Sequence, residues 1–118
     1  MSSADTKALI AQALERLGDE VPSLRKLKLV VKLELRARGG DAPWRVEVPG
    51  PKIDRDAAAD ARLEVSVSRS HFNELAREGR LKHWADAYEH GHVKVSGDPG
   101  VVKLLGNVVE RQLQRSPG

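Results

Sequence analysis

The stretch LKLVVKLELRAR, Leu27 to Arg38, decides the fold. Leu27, Leu29, Val31, Leu33 and Leu35 fall on every second position. Lys28, Lys32, Glu34 and Arg36 fill places between them, with Val30 the one exception. Successive side chains of a strand point to opposite faces, so this alternation marks a strand with one buried and one solvated face. A sheet of such strands needs cover on one side only.

The same period recurs further along the chain. After a turn over RGGDAP, Trp44, Val46 and Val48 alternate with Arg45 and Glu47, which predicts an antiparallel hairpin with the first strand. A polar, proline-bounded passage follows, with a short edge strand near Lys52-Ile53. Leu63, Val65 and Val67 alternate with Glu64, Ser66 and Ser68, and His92 to Ser96 forms the last strand with Val93 and Val95 inward.

Between and around these strands the period changes to that of a helix. Ile10, Ala13, Leu14 and Leu17 form one face of a helix over Ala4 to Leu17, with Gly18 as its stop. Ser70 is a candidate N-cap for a short helix closed by Gly79. Leu81, Ala85 and Tyr88 form the inner stripe of another, flanked by Trp84. Asp98 and Pro99 open a final helix through VVKLLGNVVERQL. Helices must collect on the apolar side of the sheet, giving a two-layer α+β fold with about five strands in a mixed sheet. The 118 residues form a single domain, with 114–118 as a frayed tail.

Composition narrows the function. Net charge is +3, from 20 basic and 17 acidic residues, with the signs interspersed. Only 3% of residues are aromatic, too few to build stacking platforms for single strands, and no dense basic stripe suits a duplex. Nucleic acid is therefore not the expected partner. The lack of cysteine excludes disulfides, thiolate metal sites and cysteine nucleophiles. The first residues lack the pattern of a secretion signal and no stretch has the length of a membrane span, so a cytoplasmic location is expected.

Four motifs invite chemistry. His83, Asp86 and His90 share a helical face, but His83 and His90 are about 10 Å apart by helical rise, too far to share a metal. His90-Gly91-His92 offers at most a pair, so no metal is expected. Gly97-Asp98-Pro99-Gly100 resembles a phosphate loop. However, Asp98 suits the N-cap and carries its own negative charge, and Pro99 has no N–H to give. Ser70-His71 are adjacent but lack a nucleophile elbow. The basic face of Lys28, Lys32, Arg36, Arg45 and Lys94 is diluted by Glu34, Glu47 and Glu64, as expected of a solvated sheet. No catalytic residue, cofactor or enzyme activity follows from these motifs. What remains is the apolar arc of the final helix, Val101, Val102, Leu104, Leu105, Val108 and Val109, wider than one packing seam requires.

The run ARLEVSVSRSHFNELAREGRLKHWADAYEHGHVKVSGDPGVVKLL, Ala61 to Leu105, resembles the C-terminal half of the sterol carrier protein 2 (SCP2) family. Upstream, PWRVEV is similar to the family's second strand, and the order of the remaining elements fits over nearly the whole chain. The resemblance implies a one-sided sheet covered by helices, with a lipid-binding tunnel between the layers and no covalent change of the ligand. It implies carriage of a sterol, fatty acid, acyl-CoA or other lipid. On the sheet the walls would be Leu29, Val31, Leu33, Trp44 and Val46. From the first three helices they would be Ile10, Leu14, Phe72, Leu75, Leu81, Trp84, Ala85 and Tyr88. Val101, Leu104, Leu105 and Val108 would complete them from the last helix. Trp84 or Tyr88 would supply a polar handle, and transient contact with a membrane surface is allowed. The alternative is the same fold with a filled core, acting as a protein-interaction or dimerisation module.

Overall fold

The computed structural model describes residues 3–37, 42–48 and 50–115. Five strands form one mixed sheet: β1 (Leu29–Arg36), β2 (Ala42–Val48), β3 (Lys52–Arg55), β4 (Leu63–Ser68) and β5 (Val93–Gly97), in spatial order β3-β2-β1-β4-β5. β1 and β4 are parallel and every other neighbouring pair is antiparallel. The expected hairpin is present, with Leu29 opposite Val48 and Leu33 opposite Trp44. The short strand at Lys52-Ile53 is the sheet's edge, as expected. Part of the turn expected over RGGDAP falls on residues 38–41, outside the described residues.

Register carries the alternation across the sheet. Leu35, Val67 and Val93 form one inward row, and Leu33, Trp44, Val65 and Val95 the next. Behind them, on the other face, Lys32, Glu64 and Ser96 line up, as do Glu34, Ser66 and Lys94. Four helices cover the inward face: α1 (Ser3–Glu20), α2 (Arg69–Glu78), α3 (Leu81–Glu89) and α4 (Pro99–Arg115). α1 lies against α2 and β3, α2 rests on β1 and β4, and α3 and α4 sit beside β5. The core joins Leu9, Ile10 and Ala13 of α1 with Phe72, Leu75 and Ala76 of α2 over the inward rows.

Several local expectations need correction. α1 does not stop at Gly18 but runs to Glu20, where the Val21 N–H reaches the Leu17 carbonyl at 2.7 Å and the Val21 side chain is buried. Gly18 stays helical, and the side chain of Arg25 lies close to the place a Cβ would take. The cap of α2 is Ser68, not Ser70. β4 passes directly into the helix, and Ser68 Oγ accepts the N–H of His71 at 3.3 Å. Gly79 does close α2, but with an extended backbone; its Cβ would come within 2.6 Å of the Leu75 carbonyl oxygen. The inner stripe of α3 is Leu81, Trp84 and Ala87, and Tyr88 is 53% exposed. One residue is about 100° of helix, so a face that runs through Ala87 leaves Tyr88 outward. Gln114 and Arg115 lie within α4, and residues 116–118 of the expected tail fall outside the described residues.

Candidate functional site

The site is framed by how β5 ends and α4 begins. Gly91 (φ +79°) closes α3: its N–H reaches the Tyr88 carbonyl at 3.1 Å and the His92 N–H reaches that of Ala87 at 2.8 Å. This pair of bonds is a Schellman closure, which wants a left-handed residue. At the other end of β5, Gly97 (φ +129°) lies so close to β4 that a Cβ would fall 2.5 Å from the Arg62 carbonyl oxygen. The Asp98 N–H then bonds that same carbonyl at 2.9 Å. The start of α4 is thereby tied to the start of β4.

Asp98 caps the helix, as its sequence position predicted. Its Oδ1 accepts the Gly100 N–H at 2.9 Å, and its Oδ2 accepts from Arg62 Nη2 at 3.0 Å. The Arg62 guanidinium, followed by the Gly100 N–H, favours the charged form and holds this carboxyl below the ordinary aspartate range. The helix start is thus filled by the chain's own carboxylate.

From this anchor α4 runs beside β5 and α3 without sinking into the core. None of its 17 residues is buried. Val101, Val102, Leu105, Val108 and Val109 are half-buried, and Leu104 is 48% exposed. The inward sheet face is also incompletely covered: Leu29, Val31, Val48, Val65 and Val95 are all half-buried, the last four against the core. Between the two lies an apolar groove of about 120 Å³, lined by Leu27, Lys28, Leu29, Arg62, Leu63, Val101, Leu104 and Leu105. Lys28 and Arg62 supply the cationic groups in that lining.

The residues expected to wall a lipid site are thus divided, with Tyr88 on the outside. Leu29, Val101, Leu104 and Leu105 meet in the groove. Ile10, Leu33, Trp44, Val46, Phe72, Leu75 and Leu81 are buried. Leu14, Val31, Trp84, Ala85 and Val108 are half-buried around these sets. Trp84 meets Phe72 edge-on at 6.1 Å between ring centroids. Trp44 Nε1 is buried with no hydrogen-bond partner among the described residues. Leu27, Leu63, Lys28 and Arg62 were not expected in the site. The alternation of Leu27 and Leu63 was legible, but their pairing with α4 depends on the β1–β4 register.

The polar face behaves differently. A concavity of about 200 Å³ lies among Lys32, Glu34, Glu64, Val65, Ser66, Lys94 and Ser96. Its origin is the small Ser66 and Ser96 among longer charged side chains. Lys32 approaches Glu64 at 4.0 Å, while Arg45 pairs with Glu47 at 3.1 Å and Asp60 at 2.8 Å. These carboxylates hold the Arg45 guanidinium even more firmly protonated than usual, Asp60 contributing most, and Arg45 in turn lowers the pKa of Asp60.

The histidines are used locally. His83 Nδ1 accepts the Arg80 N–H at 2.8 Å, and His90 Nδ1 lies 2.7 Å from the Asp86 carbonyl oxygen. His71 and His92 stack at 4.2 Å, with His90 a further 6.3 Å from His92. Nearly parallel rings do not converge their nitrogens on one point, and among the described residues no group of three side chains could hold a metal.

At the level of sequence, no family model and no curated protein matches the chain. Solved structures do. The chain is similar to palmitated SCP2L2 from Aedes aegypti at a TM-score of 0.59 and 22% identity, covering 83% of this chain and 91% of that one. The fold is that of the sterol carrier protein 2 domain. Sterol carrier protein domain 2 of Helicoverpa armigera aligns at 0.61 with 14% identity, over 95% of this chain and 90% of that one. The ubiquinone synthesis protein UbiJ-SCP2 aligns at 0.52 with 18% identity, over 100% and 98%. The SCP2 resemblance drawn from Ala61 to Leu105 therefore holds for the fold over nearly the whole chain. No helix among the described residues is long and apolar enough to cross a membrane.

Proposed function

We propose that this SCP2-fold domain binds a long apolar molecule between α4 and the Leu29 end of the inward sheet face, and carries it without changing it covalently. One observation supports the reading: a 17-residue helix with a wide apolar arc buries none of its side chains completely, and at Leu29 it faces a half-covered sheet end. Two incomplete apolar surfaces facing each other gain about 25 cal/mol per Å² when a third apolar body fills the gap, before the costs of binding. The palmitate of the Aedes aegypti relative and the ubiquinone pathway named for UbiJ-SCP2 support a long-chain lipid as the cargo class.

Magnitude adds a mechanical requirement. Ligand pockets for drug-sized molecules occupy about 300–1,000 Å³, and this groove has about 120 Å³. An acyl chain enters only if α4 moves away from the sheet. The Arg62–Asp98 pair and Gly97 hold the first turn, so α4 swings about that end while Leu104, Leu105 and Val108 separate from the sheet. Lys28 in the groove lining suits a carboxylate or another anionic head.

A second reading rests on a different observation. Ile10, Trp44, Val46, Phe72 and Leu81 are each no more than 4% exposed, so the middle of the molecule is filled by its own side chains. In that case the domain is an interaction module and α4 meets a protein.

Native mass spectrometry before and after delipidation, with a fluorescent fatty acid added back, separates these readings. The carrier reading expects saturable uptake by the delipidated protein, weakened at least tenfold by Leu104→Trp, which fills the groove. Absence of both co-purified lipid and saturable uptake sinks it.

A further inference from the structure

One group of nitrogen-bearing side chains stands apart from the groove. Arg36 ends β1 and is in register with Ser68, the last residue of β4. His92 immediately precedes β5, beside the Val67–Val93 pair, and its carbonyl accepts from Arg36 Nη2 at 3.5 Å. His71, in the first turn of α2, has its Nδ1 3.0 Å from Ser68 Oγ and its ring stacked on His92. His90 adds a third ring beyond His92. One guanidinium and three imidazoles thus meet at a single corner of the sheet. Leu29 lies at the opposite end of β1, about 23 Å away at about 3.3 Å per residue.

No carboxylate among the described residues pairs with Arg36, His71, His90 or His92. Glu34 stands one row back on the same face, in register with Ser66 and through it with Lys94. Arg36 Nε is buried with no hydrogen-bond partner among the described residues. A charged donor held out of water without an acceptor is costly, and an anion is the group that relieves it. His90 and His92 are exposed, so a solute can reach the corner.

We infer that this corner binds the phosphate group of a small soluble molecule, with Arg36 as the principal donor and His71 and His92 beside it. A metal ion needs ligands that converge on one point, which nearly parallel rings do not supply. A phosphate carries three strong acceptor oxygens, so separate ring edges can each meet one. The two oxygens of a carboxylate would be taken up by the guanidinium fork alone. The positive end of the α2 dipole opens at the same corner. This inference goes beyond the carrier reading and does not depend on it.

The test follows the Arg36 Nε–H and histidine ring signals by NMR in the full chain, at constant ionic strength. Inorganic phosphate and glycerol phosphate should each shift them to saturation, and acetate should not. Arg36→Gln should weaken binding about tenfold or more, because a charge-assisted pair is lost. His92→Gln should weaken it less, and that exposed position keeps the test open if Arg36→Gln does not fold. The absence of saturable shifts, equal shifts with acetate, or unchanged affinity in the His92 variant overturns the inference. So does a response to phosphatidic acid vesicles with none to the dissolved phosphates. Competition between phosphate and a fatty acid would place the anion at Lys28 in the groove and overturn it as well. Absence of fatty-acid uptake with the phosphate shifts intact would count against the carrier reading alone.

Discussion

Leu35 and Leu29 sit on the same strand, on the same face, with the same chemistry, yet Leu35 is 1% exposed and Leu29 is half-buried. The difference lies in what covers them. The row of Leu35, Val67 and Val93 belongs to a core into which α1 and α2 send Ile10, Ala13, Phe72 and Ala76. The Leu29 end faces α4, which buries no residue completely. One end of the sheet belongs to the core, and at the other the apolar surface is only half-covered. How closely a helix approaches the sheet thus decides how much of its apolar surface the core consumes.

The largest expected effect breaks the closed end. Phe72 is 2% exposed and packs edge-on against Trp84. Phe72→Ala should cost about 3–5 kcal/mol of stability. Leu105→Ala at the open end should cost under about 1.5 kcal/mol, because little of its surface is lost to a cavity. Chemical denaturation measures both; equal losses would mean that α4 is as much a part of the core as α2.

A smaller change sharpens the contrast from the other side. Gly106 lies within α4, and a Cβ there meets nothing within 4 Å. Gly106→Ala should stabilise the helix by about 0.5–1 kcal/mol without touching the sheet. If α4 swings as a rigid body, fatty-acid affinity should hold or rise. A clear loss of affinity would show that the helix must bend or fray to admit the ligand.

The smallest effect is local and pH-dependent. The Asp98 carboxyl titrates below its ordinary range because Arg62 and the Gly100 N–H favour its charged form. A folded-state pKa below the unfolded one contributes stability above the ordinary aspartate value, and that contribution disappears as pH falls through the lowered one. NMR titration in acid should show the Gly100 and Val101 amides shifting together there. Asp98→Asn should abolish the shift while leaving the amides of β1 unchanged. No shift in the parent protein would remove the Arg62–Asp98 anchor from the account of α4.

The fold was largely readable because alternation is a local signal. LKLVVKLEL, PWRVEV and LEVSVS each declare one wet and one dry face, and a sheet with one dry face requires helices there. The site was less readable. Trp44 and Phe72 look like wall residues in sequence, since an aromatic ring suits a lipid as well as a core. The sequence of a nine-residue helix has too few turns to fix its inner face, and the face through Ala87, which joins Val93 in the core, leaves Tyr88 outward. Leu63 and Arg62 joined the groove only through the parallel pairing of β4 with β1, which no local pattern announces.

By itself the sequence determined the elements, the one-sidedness of the sheet, and the capping that ends α3 at Gly91 and starts α4 at Asp98. These follow from side-chain period and backbone preference over a few residues. Tertiary structure alone decided which apolar residues were consumed by the core and which were left over. Burial depends on how near two elements come, and that distance is set by long-range register, by Gly97 against Arg62, and by the helix that competes for the same face. Sequence could supply the hydrophobic arc of Val101 to Val109. Only the packing showed that no part of it is fully buried.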